Sequence, residues 1–300
     1  MSSNYFTKAS ITTPAENIVC ILAPNPSPMT FKGTNTYIID NGELAIIDPG
    51  PINEEHFDNI LGVLAGKPVK YIFLTHSHID HSPLAKQLSA ELNTPIYAYG
   101  ASNSGLSSTM LSLIDNGYQS GSEGIDNEFH PDYFIKNNEE FNLNSETISS
   151  IHTPGHMGNH ICFQYENVLF SGDHIMGWAT SMVSPPYGDL TQFMDSCHLL
   201  QKKNFNLLLP GHGDPVANPK ERISFLINHR LERERQILSA IESGPISAIE
   251  ITFKIYTDVD QALIPAATRN VFAHLIDLNS REIIKFLEQI SENTKVILNI

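Results

Sequence analysis

The 300-residue sequence predicts an α/β fold, and three observations carry that expectation. Short runs of β-branched and aromatic residues alternate with apolar residues at helical spacing from about residue 33 to residue 209. Several of those runs stop at Gly or Pro turns. Strand ends carry His and Asp side chains, most densely in Thr75-His76-Ser77-His78-Ile79-Asp80-His81 after the apolar run Tyr71 to Leu74. Three imidazoles and a carboxylate this close together are costly unless a cation compensates them. Neutral imidazole and carboxylate are also ligands that Zn²⁺ takes. The alternative is a polar His-rich loop without function.

Taken in order, Asn17 to Leu22 is a short strand, closed by Pro24, Pro26 and Pro28. Gly33 to Ile39 and Leu44 to Ile47 flank Asn41-Gly42 and read as a hairpin. Asp48 follows at a strand end, either as a turn cap or as a partner of a metal ligand. Phe57, Ile60, Leu61 and Leu64 recur at helical spacing, and Val69 to Leu74 is the strand that delivers the histidine cluster. Pro83 opens a helix with Leu84, Leu88 and Leu92 on one face, followed by a strand at Pro95 to Tyr99. Residues 100 to 135 read as a long loop with one weak helix, of the kind that shapes a site or moves over it. Strands resume at Glu146 to Ile151, His160 to Gln164 and Asn167 to Phe170; a helix spans Asp189 to Lys203, and Asn206 to Leu209 is a last strand.

Three further turns repeat the first pattern: Thr153-Pro154-Gly155-His156, Ser171-Gly172-Asp173-His174 and Pro210-Gly211-His212-Gly213. Four strand ends bearing such side chains argue for one shared site at the edge of a sheet sandwich. His160 reads as a structural hydrogen-bonding residue near that site, and His174 points away from its neighbour Asp173 in extended backbone. Trp178 and Tyr187 lie on the loop from Gly177 to Leu190, where they either wall a substrate pocket or anchor the loop.

Composition bounds what the site serves. The chain is 41% hydrophobic, ordinary for a globular core, and 18 Lys and Arg stand against 33 Asp and Glu for a formal charge of −15. That balance disfavours nucleic acid and anionic membranes as partners. Cys20, Cys162 and Cys197 are isolated and read as buried hydrophobes in a reducing compartment. Met1 to Lys8 shows no targeting pattern, and nowhere do 18 uncharged apolar residues run together, so a cytoplasmic protein is expected.

The string His76-x-His78-x-Asp80-His81, with Thr-Pro-Gly-His156, Ser-Gly-Asp173 and Pro-Gly-His212-Gly, resembles the metallo-β-lactamase superfamily at each of its signature positions. The resemblance implies an αββα sandwich with a two-metal site at one edge. It places His76, His78 and His156 on the first metal and Asp80, His81 and His212 on the second, with Asp173 bridging. Zn is the expected metal, with Fe or Mn also compatible with these ligands. A dinuclear hydrolase follows, using a metal-bridging hydroxide, with Asp80 and Asp173 as the catalytic carboxylates.

The stretches Pro24 to Ile38 and His229 to Ile237 are similar to the β-lactamase-like protein 2 branch of that superfamily, which includes a single-strand endoribonuclease. That branch carries a winged-helix-like extension, so residues 1–230 are expected as the catalytic domain and 231–300 as a small, mainly helical domain. Helical spacing from Ile223 to Ile241 stops at Gly244-Pro245, with further helices at Ser247 to Tyr256 and Ala266 to Leu278 and a hairpin of Ile283 to Leu287 with Val296 to Ile300. From Leu231 on there are seven Lys and Arg against ten Asp and Glu, few cations for a polyanion, so the extension is expected to pack against its own domain or close the pocket. A small acyl substrate such as a thioester or lactone is therefore expected, with RNA or another phosphodiester as the alternative. A di-iron redox protein or an idle metal scaffold is the reading from another class, and a homodimer is possible.

Overall fold

In the computed structural model, which describes residues 10–118 and 124–299, the strand signals resolve into two packed sheets. The first has seven strands in chain order: β1 Ile11–Ala15, β2 Ile18–Leu22, β3 Asn35–Asp40, β4 Leu44–Ile47, β5 Val69–Phe73, β6 Ile96–Ala98 and β7 Tyr133–Phe134. The second comprises β8 Glu140–Leu143, β9 Glu146–His152, β10 Ile161–Tyr165, β11 Val168–Gly172 and β12 Leu207–Pro210, in the order β12-β11-β10-β9-β8. β1, β7 and β8 lie outside the expected strands. Two are short, and in β8 only Phe141 and Leu143 face inward, too few for alternation to register.

The period-two alternation of the strands decides the layers. Tyr37, Ile39 and Ile47 of the first sheet meet Phe163, Tyr165 and Phe170 of the second in a core between the sheets. Their chain neighbours face outward: Ile38 and Ile46 pack under α1 Glu54–Leu64 and α2 Leu84–Leu92. Cys162 and Leu169 pack under α4 Leu190–Gln201 and the first half of α5 Pro219–Ile241. The result is helix, sheet, sheet, helix, the αββα arrangement that the resemblance implies.

Strand direction then gathers the turns at one edge. β4 runs parallel to β5, and β11 parallel to β12, so each pair ends on the same side. Within the long loop lies α3 Ser108–Asp115, capped by Ser107, whose hydroxyl accepts from Met110 N. The Met1 to Lys8 segment, residues 119–123 of that loop and Ile300 of the expected hairpin lie outside the described residues.

The division expected after residue 230 falls inside α5, a 23-residue helix that crosses it without a break. Its first half joins the second-sheet core through Ile223, Leu226 and Ile227, and its second half joins a separate cluster through Ile237, Ala240 and Ile241. That cluster also holds α3, α6 Ala248–Ile255, α7 Ile264–Ser280 and the hairpin of β13 Ile284–Phe286 with β14 Val296–Leu298. A capping box starts α6: Ser247 and Glu250 satisfy each other's backbone N–H groups.

Candidate metal centre

The four ligand-bearing turns meet at the edge where β5, β9, β11 and β12 end. His76, His78, His156 and Asp173 form one group, and Asp80, His81 and His212 a second; within each group the ligand atoms all lie within 4.8 Å of one another. Nε2 of His76 and Nε2 of His156 lie 2.9 and 3.0 Å from Nδ1 of His78. Asp173 reaches from one group to the other: Oδ2 is 3.7 Å from His156 Nε2 and 3.3 Å from His212 Nε2, and Oδ1 is 3.6 Å from His81 Nε2. A Cβ on Gly211 would stand 2.4 Å from Asp173 Oδ1 and 2.6 Å from His81 Cε1, so the Pro-Gly-His turn must be glycine for the groups to close up.

Four of the five ligand imidazoles have an acceptor for the outer nitrogen, Nδ1. His81 Nδ1 donates to Asp48 Oδ2 at 2.9 Å, His156 Nδ1 to the Met182 carbonyl at 2.8 Å and His212 Nδ1 to the Gly33 carbonyl at 3.0 Å. Thr75 Oγ1 gives its own proton to Asp48 Oδ2, so it accepts from His76 Nδ1 at 2.9 Å. With Nδ1 held by its acceptor, each of these four rings turns Nε2 inward, where in the neutral form it offers a lone pair to a cation. Asp48 therefore sits behind His81 as a partner of a ligand, and also accepts from Thr75 N at 2.7 Å.

Electrostatics divide the two groups. Burial first, and then the neighbouring imidazoles, hold His76 well below its usual range and His78 at about 3; burial also lowers His156. Burial opposes protonation of His81 and His212 as well, but there the carboxylates outweigh it. Asp80, Asp173 and Asp48 lift His81 well above its usual range, and Asp173 and Asp80 lift His212 to about 9. Asp80 and Asp173 are held low by the same two rings against the opposing effect of burial. The chemistry of this donor set fits a divalent cation in each group. Asp173 Oδ1, buried and without a hydrogen-bond partner, is an oxygen left over for such a ligand.

His160 lies behind the site. Its Nε2 accepts from the backbone N–H of Asp173 at 3.2 Å, and its Nδ1 pairs with Thr153 Oγ1 at 2.9 Å. His174 turns away, with Nε2 3.6 Å from Cys197 Sγ and its ring on Phe193. All three cysteines are buried, and burial pushes each thiol up to about 12.

In front of the ligands opens a cavity of about 570 Å³. Trp178 forms part of its wall, stacked on Phe31 at 4.9 Å between centroids. Tyr187 does not belong to that wall among the described residues; its carbonyl instead accepts from Gly158 N, so the loop is anchored there rather than lining the pocket. The far wall comes from the C-terminal segment, with Tyr256, Val259, Leu263 and Asn270, and from His229, Arg230 and Arg233 of α5. The acidic balance of the whole chain hid these basic residues, and the carbonyls of Gly33 and Met182 leave no trace in side-chain identity. The spacing His229-Arg230-x-x-Arg233, one helical face, was the available signal.

Fold and site together define a metal-site hydrolase architecture. A metallo-beta-lactamase superfamily model matches residues 29–212, and a beta-lactamase associated winged helix domain model matches residues 247–291. The chain belongs to the metallo-beta-lactamase superfamily and is a hydrolase of that superfamily with a C-terminal winged helix domain. It is 30% identical to a beta-lactamase-like protein 2 homolog of Drosophila melanogaster over 281 residues, covering 90% of each chain. Over 238 residues it is 28% identical to the atrochrysone carboxyl ACP thioesterase of Aspergillus fumigatus, covering 75% of this chain and 65% of that one. The fold is shared with a beta-lactamase domain protein from Burkholderia ambifaria, at a TM-score of 0.78 and 20% identity over 96% of this chain and 93% of that one. No helix among the described residues is long and apolar enough to cross a membrane.

Proposed function

We propose that the protein is a dinuclear, zinc-dependent hydrolase of small acyl compounds, thioesters foremost, acting in the cytoplasm. The observation that carries the proposal is the convergence of seven His and Asp side chains, five of them (His78, Asp80, His156, Asp173 and His212) lining a cavity whose remaining wall is largely apolar. A volume of about 570 Å³ suits one small substrate rather than a polymer track. The thioesterase named among the relatives supports the acyl class.

In this reading His76, His78 and His156 hold one ion, Asp80, His81 and His212 the other, and Asp173 joins both. Two divalent ions bound there supply an activated water and an electrophile for the carbonyl oxygen. The chain does the rest. Asp48, Thr75 and the carbonyls of Gly33 and Met182 hold the ligand rings in one tautomer and orientation. Asp80, the more exposed of the two ligand carboxylates, would orient the water and take its proton at Oδ as the water oxygen bonds to the acyl carbon; the C–S or C–O bond then breaks, and the proton passes to the departing thiolate or alkoxide. Trp178 and the C-terminal wall limit bulk water around the acyl group.

Metal analysis of the purified protein, with turnover of a thioester and lactone panel beside a fluorescent single-stranded RNA, tests the proposal. Two zinc ions per chain, and acyl turnover lost in Asp173→Ala with the RNA intact, are expected. Cleavage of the RNA alone, lost in the same variant, would replace the acyl reading with phosphodiester hydrolysis. Two irons with no hydrolysis would point to redox chemistry.

A further inference from the structure

The acidic chain places two unexpected cations and an imidazole on its cavity wall. His229, Arg230 and Arg233 of α5 all line the cavity that the metal-site residues face. None of the three has a carboxylate partner among the described residues, although Arg235 on the same helix pairs with Glu232, and Arg281 pairs with Glu234 and Asp277. Among the described residues the only carboxylates lining the cavity are Asp80 and Asp173, both part of the candidate metal site.

Arg230, 5% exposed, is tied into the fold, where it donates to the Ser181 carbonyl and to Asn270 Oδ1. Those bonds use two of its five N–H groups. Arg233 is freer. Its guanidinium stacks on Tyr256 at 4.1 Å, one Nη donates to Gln236, and its Nε is buried with no partner among the described residues. Nδ1 of the half-buried His229 also has no partner among them. Burial first, and then Arg230, Arg233 and Arg222, disfavour a charge on His229, the mark of a positive field without a counter-charge. Unsatisfied donors and uncompensated cations in an apolar-walled cavity are what an anionic ligand group satisfies.

We propose that His229, Arg230 and Arg233 form an oxyanion-binding subsite that selects acyl substrates bearing a carboxylate or a phosphate, the planar guanidinium of Arg233 being its main contact. The proposal rests on the acyl-hydrolase reading above and deepens it. Two arginines and one histidine suit one or two anionic groups on a small molecule, not the successive phosphates of a nucleic acid strand.

Two matched substrate pairs distinguish the source of the anion on the metal-loaded protein. S-acyl pantetheine against its 4′-phosphate places it on the thiol side, and S-pentanoyl against S-glutaryl N-acetylcysteamine places it on the acyl side. In the wild type, at least one charged member is expected to exceed its neutral partner in kcat/KM by about tenfold or more, as a charge-assisted hydrogen bond allows. In Arg233→Gln that ratio is expected to fall to within about twofold, with His229→Gln as a second variant that reduces it. Charged and neutral members turned over alike in the wild type, or a ratio unchanged in both variants, overturns the subsite. If no thioester is turned over, the acyl-hydrolase reading fails, and the subsite is decided separately by calorimetry with S-alkyl thioether analogues of the same pairs. Tighter binding of a charged analogue, lost in Arg233→Gln, supports it; equal binding, or binding by single-stranded RNA only, overturns it.

Discussion

Asp48 Oδ2 lies 2.9 Å from Nδ1 of His81, and the same carboxylate accepts from the backbone N–H and the hydroxyl of Thr75 at 2.7 Å each. One side chain at the end of β4 thus sets the start of the ligand loop after β5 and orients an imidazole of the metal site. Asp48→Asn places an amide among three donors and removes the charge that faces His81. Metal affinity is expected to fall about 10- to 100-fold, the usual effect of losing such a partner. Competition with a chromophoric chelator measures it, and an unchanged affinity would take Asp48 out of that role.

Metal removal has a stability consequence. Without a cation, the inward lone pairs of His76, His78 and His156 face one another at about 3 Å. A ligand present at 100 times its dissociation constant adds about 2.7 kcal/mol to the folded state. Calorimetry before and after chelation is therefore expected to show a thermal midpoint lower by about 5 °C or more, restored by zinc. Equal midpoints would argue that the cluster holds no tightly bound ion.

Gly155 precedes a ligand and adopts φ +138°. A Cβ there would fall 2.3 Å from Cα of Phe193, a backbone atom of α4 that cannot step aside. Gly155→Ala is expected to cost about 1–3 kcal/mol for the backbone conformation alone, and to move His156 out of register with His78. A denaturant titration checks the first effect and metal stoichiometry the second.

His274 supplies a pH prediction away from the ligands. It is 1% exposed within α7, with neither ring nitrogen partnered among the described residues, and burial first, then Arg230 and Arg233, hold its pKa well below the usual value. The unfolded chain takes up a proton near pH 6.5 while the folded chain does not, so stability present above that pH is lost as pH falls. The loss is about 1 kcal/mol between pH 6.5 and 5.5 and approaches about 1.4 kcal/mol per pH unit below that. His274→Leu is expected to remove that share, measured as the difference in unfolding free energy between pH 6.5 and 5.5. An identical acid dependence in the two proteins would refute it.

The sequence by itself determined what is local. Three of the four ligand turns are strand ends followed by Gly or Pro, and the pleat of a strand sends Ile39 to one face and Ile38 to the other. The seven expected ligands come together in two groups because β4 with β5, and β11 with β12, run parallel and end on one edge. Tertiary structure decided what spans separate segments: the carbonyls of Gly33 and Met182 behind His212 and His156, and the anchoring of Tyr187 away from the cavity. It also decided the sign of the cavity wall. Counted along the chain, Glu232 and Glu234 cancel Arg233 and Arg235. Wound into α5, Glu232 pairs with Arg235 and Glu234 with Arg281, while Arg233, three residues after Arg230 and four after His229, turns with them toward the cavity. Net charge is additive along a sequence; the field inside a pocket depends on which face of a helix each charge occupies.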